Sequence, residues 1–165
     1  MKSKTGAGFF AGLVSAFICG IVMSCVGVYM PDGNPSMMDL AGRLVGSSSA
    51  AAGWLNTLIV GCILGGIFAG LFGSRIFSLK GGLNYGLIYG LCLWVLGGLI
   101  VTPMLLGMPA FGPFAIAGMQ PLAWFGLLDY VAYALVLGTC FFAMYKPGII
   151  EAVKNVGERV GAGRT

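Results

Sequence analysis

Four long apolar runs divide this chain, roughly Gly6 to Met30, Ala50 to Phe72, Gly82 to Leu106 and Pro121 to Tyr145. Each is long enough to cross a bilayer as a helix, which takes about 20 residues. Spanning strands would be shorter and would alternate apolar with polar residues, so helices are predicted. Water is the wrong solvent for such a chain. Hydrophobic residues fill 58% of 165 positions, and a domain this small keeps too much surface exposed to bury them all in one soluble core. The fold class that follows is an all-α membrane protein, a four-transmembrane-helix bundle with the lipid bilayer as its first partner. Residues 1–146 form the transmembrane domain, and residues 147–165 form a separate tail.

The first run follows Met1-Lys2-Ser3-Lys4, as a signal peptide would, but it exceeds a usual signal core and lacks a small-x-small cleavage site. Val22-Met23-Ser24-Cys25 is a poor lipoprotein box. The segment is read as a retained first span. Basic residues then set the orientation. Lys2, Lys4, Arg75, Lys80, Lys146, Lys154, Arg159 and Arg164 fall on one side of the four spans, and Arg43 alone on the other. Both termini are therefore expected in the cytoplasm, with the protein in the inner membrane. The net charge of +4 is a topology signal. No basic run or aromatic platform accompanies it, so nucleic acid is not an expected partner.

Small residues recur at every fourth position. Span one carries Gly8, Gly12, Ala16, Gly20 and Ser24; span three carries Gly82, Gly86, Gly90, Trp94 and Gly98, a shift of 74 (Gly12 to Gly86). Span two carries Gly53, Thr57, Gly61, Gly65 and Ala69; span four follows with Gly126, Tyr130, Ala134 and Gly138, a shift of 73 (Gly65 to Gly138). Leu64 and Phe68 recur as Leu137 and Phe141. Two duplicated helical hairpins, pointing the same way about an axis along the membrane normal, are expected. Helices in lipid associate through close backbone approach at such small-xxx-small faces. Gly12, Gly20, Gly61, Gly65, Gly86, Gly90 and Gly138 are the expected contact points, with Trp94 filling the space that facing glycines leave or else a groove on a partner protein.

Between spans one and two, Asn34 is the expected N-cap and Pro35 the first helical residue of a short outer interfacial helix, with an Asp39–Arg43 pair at i, i+4. The loop from Gly107 to Pro121 carries no charge. It should fold over the bundle mouth, enter the interface or meet a protein partner. After Pro147-Gly148, the stripe Ile149, Ile150, Val153, Val156 and Val160 predicts a C-terminal amphipathic helix.

Little chemistry is on offer. The chain has no histidine, and Cys19, Cys25, Cys62, Cys92 and Cys140 form no Cys-x-x-Cys pair. Phosphate loops, nucleophile elbows and paired carboxylates are missing too. An enzyme is not expected, and neither is a cofactor. Met30, Met37, Met38, Met104, Met108 and Met119 gather at or beyond the outer span ends. Thioethers suit Cu(I), so a copper site stands as the alternative to ordinary gap-filling.

Asp129 is the one acid inside a span. About eight residues into span four, it lies roughly 12 Å deep at 1.5 Å per residue. A charge there costs several kcal/mol unless neutralised, hydrated or paired. No lysine or arginine lies within the spans to pair with it. At similar depth stand Ser24, Asn56, Thr57 and Thr102, and Asn56 is the repeat counterpart of Asp129. A polar pair of Asn56 with Asp129 is the expected site. In a structural role the acid stays protonated and hydrogen-bonds a neighbour; in a functional role it is a proton or cation site between the repeats.

A glycine-rich first span ending in a Met-Pro turn, Gly53-Trp54 opening span two, and Trp94 followed by Pro103 and Gly107-Met108-Pro109 resemble a group of uncharacterised bacterial four-span inner-membrane proteins. The resemblance implies the fold and leaves the activity open. That group carries histidines near the positions of Asn56 and Asp129, and this chain does not, so a metal or haem role for them would not transfer. Two functions remain as expectations. One is an accessory or structural subunit packing against a membrane-protein partner or a second copy. The other is a small channel or a proton- or cation-coupled transporter using Asp129 and Asn56.

Overall fold

The computed structural model describes residues 3–27 and 36–145. In chain order the helices are α1 (Lys4–Cys25), α2 (Met37–Arg43), α3 (Ala50–Phe72) and α4 (Leu79–Leu93). A π-helical segment (Trp94–Val101) then runs on into α5 (Thr102–Leu105), followed by α6 (Gly112–Ala115) and α7 (Gln120–Tyr145). Among the described residues, four helices are long and apolar enough to cross a membrane: α1, α3, the rod Leu79–Leu105, and α7. The chain is a multi-pass membrane protein, and no strand occurs among the described residues. Met30, Asn34, Pro35 and the tail beyond Tyr145 lie outside them.

Three of the four rods open on a serine. Ser3, Ser49 and Ser78 accept hydrogen bonds from the amides of Gly6 (3.2 Å), Ala51 (3.2 Å) and Gly81 (3.0 Å), satisfying N–H groups that the first turn leaves free. The first rod stops short of Met30. Val26 turns extended (φ −97°, ψ 114°), its carbonyl accepts the Met37 amide at 3.0 Å, and Gly27 pairs with Ser36 in one antiparallel bridge. These bonds end the described part of the first rod at Cys25, with Val26 as its C-cap.

Helix α2 also starts later than the Asn34-Pro35 signal predicts. Its N-cap is Ser36, whose Oγ accepts the Asp39 amide at 3.1 Å. In return Asp39 Oδ2 accepts the Ser36 amide at 2.9 Å and the Ser36 hydroxyl at 2.7 Å. This capping box satisfies two free donors reciprocally, which outcompetes a proline start. It also takes up the carboxylate expected to pair with Arg43. Ser36 holds the Asp39 carboxyl below the usual range, and Arg43 adds a weaker pull. Met37, Met38, Leu40 and Ala41 are buried, docking α2 on α3.

Helix α1 packs along α3 and α7, and the α4 rod packs along α7. At both main crossings backbone meets backbone. A Cβ built on Gly12 would collide with the Gly61 carbonyl, and one on Gly8 would lie 2.5 Å from the Gly65 carbonyl oxygen. Across the other crossing, a Cβ on Gly86 would lie 2.5 Å from the Ala134 oxygen and one on Gly82 2.8 Å from the Gly138 oxygen. Gly90 meets the Ala134 methyl group, with its added Cβ only 2.8 Å away. Gly20 differs: it lies under the ring of Trp54, 2.7 Å from where its Cβ would stand.

The half of the bundle away from α2 is filled with aromatics. Phe68 of α3 and Phe141 of α7, both fully buried, meet edge to face at 5.9 Å. Tyr89 of α4 packs on Phe68 at 5.3 Å and donates its hydroxyl to the Leu64 carbonyl at 2.8 Å. Tyr133 of α7 donates to the Gly61 carbonyl at 2.6 Å. Both hydroxyls thus bond the second lone pair of an α3 carbonyl and hold α4 and α7 to that helix. Lys4 closes this end, donating to Ser74 Oγ at 3.1 Å.

A cavity around Asp129

In the half nearer α2, the four rods part around a cavity of about 200 Å³. Cys19 of α1, Asn56 and Thr57 of α3, Trp94 and Thr102 of the third rod, and Asp129 of α7 all border it. Residues of α2 and of the segment after Leu105 line it as well.

The third rod is built to leave this room. Over Trp94–Val101 it widens to a π-helix, a form that runs of α-helix adopt rarely and often at functional sites. Gly97 and Gly98 let the ring of Tyr130 lie against the widened turn: Cβ atoms there would stand 2.9 Å from Tyr130 Oη and 3.0 Å from its Cε2. Pro103 has no N–H, which frees the carbonyl four residues back. That carbonyl, of Leu99, accepts the Phe111 amide at 2.7 Å. Phe111 is the one described non-glycine residue in the left-handed region (φ 60°). The bond ties the uncharged segment back onto the rod.

Polar side chains around the cavity are mostly committed elsewhere. Asn56 Nδ2 donates to the Ala41 carbonyl of α2 at 3.1 Å. Thr57 Oγ1 donates weakly to Met38 Sδ at 3.7 Å. Trp94 Nε1 donates to the Ala123 carbonyl at 3.0 Å, and the side chains of Tyr130 and Thr102 lie beside each other. Asp129 is the exception. Its Oδ1 is buried and has no hydrogen-bond partner among the described residues. The Cys19 thiol lies beside the carboxylate, with its Sγ 3.9 Å from the Asp129 backbone oxygen.

The structure therefore places Asp129, Asn56, Thr57 and Thr102 on one cavity. Asn56 and Asp129 make no hydrogen bond to each other; the bond that the Asn56 amide makes goes to α2. Ser24 stands apart, exposed, with its hydroxyl donated to the Gly20 carbonyl of its own helix at 2.8 Å. Cys19 and Tyr130 belong to the site and were not among the expected polar residues. Tyr130 carried a signal, as the neighbour of Asp129 on the small-residue stripe; Cys19 carried none.

The methionines scatter. Met37 and Met108 border the cavity, Met38 accepts from Thr57, and Met119 is buried. Met104 is 60% exposed and does not border it. Among the described residues no group of three His, Cys, Asp or Glu side chains is placed to hold a metal ion. No protein-family model, curated protein or solved structure matches this chain.

Proposed function

We propose that this protein handles a small solute or a proton inside the membrane, as a small transporter-type protein whose working group is Asp129. One observation carries the reading. Asp129 borders a cavity lined by all four spans, and its Oδ1 is buried with no hydrogen-bond partner among the described residues. A purely structural acid would use its hydrogen-bonding capacity to fix a neighbour, as Asn56 does with Ala41. Leaving a buried carboxyl oxygen unsatisfied in a site of low dielectric costs about 1–3 kcal/mol. Such cost is typical of groups kept for function. Phe68 and Phe141 pack together outside the cavity's lining, which favours a site closed at that end over an open channel.

The same reading includes the duplication. Corresponding residues make corresponding contacts: Gly8 on Gly65 and Gly82 on Gly138, Gly12 on Gly61 and Gly86 on Ala134, Ala16 on Gly61 and Gly90 on Ala134. Phe68 and Phe141, repeat counterparts, meet each other. Helices α2 and α6 fall at matching places between the spans of each half. A site between two halves related along the membrane normal is where transporters of this plan bind solute. On this reading the chain lies in an inner membrane with both termini in the cytoplasm, and it is a member of the four-span group it resembles with that group's histidines replaced.

Reconstitution tests it. Asp129→Asn keeps the shape and removes the charge. It should unfold at the same temperature as the native protein yet lose proton or solute flux in liposomes; unchanged flux would overturn the proposal. A second reading, an accessory subunit, draws on one surface. Met104, Leu105, Phe111, Phe114 and Ile116 are all exposed on or beside the uncharged segment after Leu105. A stoichiometric protein partner, co-purified in mild detergent and lost on Phe114→Ser, would favour it.

A further inference from the structure

The cavity's own chemistry narrows what it can hold. We infer that it is a binding site for a small organic monoammonium ion, one aromatic or branched aliphatic body carrying a single protonated amine, with the amine on Asp129 and the body against the apolar walls. The inference rests on the proposed function and names its solute class.

Donors and acceptors decide the sign. The indole N–H of Trp94, the hydroxyls of Tyr133 and Thr57, and one N–H of the Asn56 amide donate to protein groups already. Among the buried side-chain polar atoms of the described residues, the one left without a partner is an acceptor, Asp129 Oδ1. An anion meets a carboxylate and finds most of these donors committed. A ligand that donates meets a carboxylate whose Oδ1 no described residue has taken. A cationic donor gains most, because its charge cancels a carboxylate that is otherwise costly at this depth. The rings of Trp94, Tyr130 and Tyr133 border the same cavity and offer electron-rich faces that attract an ammonium.

Charge count and volume set the rest. No other Asp or Glu lies within a span, and Lys4 and Lys80 sit at the far ends of theirs. One carboxylate neutralises one amine, so a diammonium ion would carry an uncompensated charge into the bundle. A cavity of about 200 Å³ exceeds the roughly 150 Å³ that admits benzene, which leaves room for one ring and a short chain.

The test uses the full-length protein in lipid nanodiscs at neutral pH, with empty nanodiscs as the blank. Three probes are titrated calorimetrically: phenethylammonium, its neutral analogue 2-phenylethanol, and 1,4-butanediammonium. Phenethylammonium should bind saturably and at least about tenfold more tightly than either of the others. Asp129→Asn should abolish the preference for the ammonium over the alcohol. Equal affinity of the native protein for ammonium and alcohol would overturn the inference without any variant, because it describes a merely apolar hole. Tight binding of the diammonium ion would overturn it as well. The two proposals fail separately. Flux that depends on Asp129 with no ammonium preference sinks this inference alone. Asp129-dependent ammonium binding without flux sustains it and sinks the transport reading.

Discussion

Gly65→Ala is the sharpest test of the way this bundle is held together. Gly65 faces α1, and a methyl group there would collide with the Gly8 carbonyl and stand 2.6 Å from Gly12 Cα and 2.8 Å from Gly12 N. Those are backbone atoms, which no rotamer change can move. Ordinary carbon contacts need roughly 3.5–4 Å, so α1 must back away by about 1 Å along the crossing. Overpacking of this kind costs about 1–3 kcal/mol. Near the middle of that range, the folded population falls roughly thirtyfold relative to the unfolded. The control lies one turn and a little further along the same helix. Gly70 has nothing within 4 Å of an added Cβ, so Gly70→Ala should be neutral or slightly stabilising, since alanine is the better helix former. Gly138→Ala should repeat the Gly65 result, because its Cβ would collide with the Gly82 carbonyl. Unfolding free energies in mixed micelles, measured for the three variants side by side, decide the matter. Equal effects at Gly65 and Gly70 would mean that close backbone approach is not what joins α1 to α3.

Further outcomes follow from single contacts. Pro103→Ala restores an N–H that competes for the Leu99 carbonyl, so the Phe111 amide, now bonded there at 2.7 Å, should exchange with solvent faster; unchanged protection would show that the proline is incidental. Asn56→Ala removes the bond to Ala41 and should cost about 0.6–1 kcal/mol, seen as faster amide exchange across α2. Ser36 holds the Asp39 carboxyl below its usual range. A depressed folded value means that the stabilisation is complete above the ordinary aspartate value of about 3.9 and is lost as pH falls through the lower folded one. Helix α2 should therefore loosen only below about pH 4, and Ser36→Ala should remove that acid limb of its exchange profile.

Membrane spans are the most legible elements a sequence can carry, because the bilayer imposes one length and one polarity on them. The second run, Ala50 to Phe72, matches α3 at both ends. The small-residue stripes were legible for a similar reason: Gly12, Gly61, Gly65, Gly86 and Gly138 sit where only a missing side chain lets carbonyls touch. What sequence left dark is whatever depends on the opposite wall. Asp129 announced its depth, but nothing in its neighbourhood announced Cys19, whose thiol arrives from 110 residues away. Asn56 announced a polar group at matching depth, but its partner is a backbone carbonyl, and every residue has one. The π segment was dark as well. Gly97, Gly98 and Pro103 permit it, yet each is at home in an ordinary membrane helix.

The contrast between Asn56 and Asp129 follows from the unequal loops of the two halves. In the first half, α2 runs from Met37 to Arg43, is fixed by its capping box, and lies close enough to bring the Ala41 carbonyl onto Asn56. Its approach is so close that a Cβ on Gly53 would collide with the Met38 carbonyl. In the second half, α6 spans just Gly112–Ala115. Its leading residue, Phe111, is turned by its left-handed backbone so that its amide reaches the π rod at Leu99. No group of that segment hydrogen-bonds Asp129 Oδ1. On the proposed duplication, one half has a long lid that satisfies its polar residue and the other a short lid that does not. The free acid is thus a consequence of lid length as much as of the residue itself. Lengthening α6 by one turn, with a backbone amide or carbonyl brought over Asp129 as α2 brings Ala41 over Asn56, should abolish the site even with Asp129 in place.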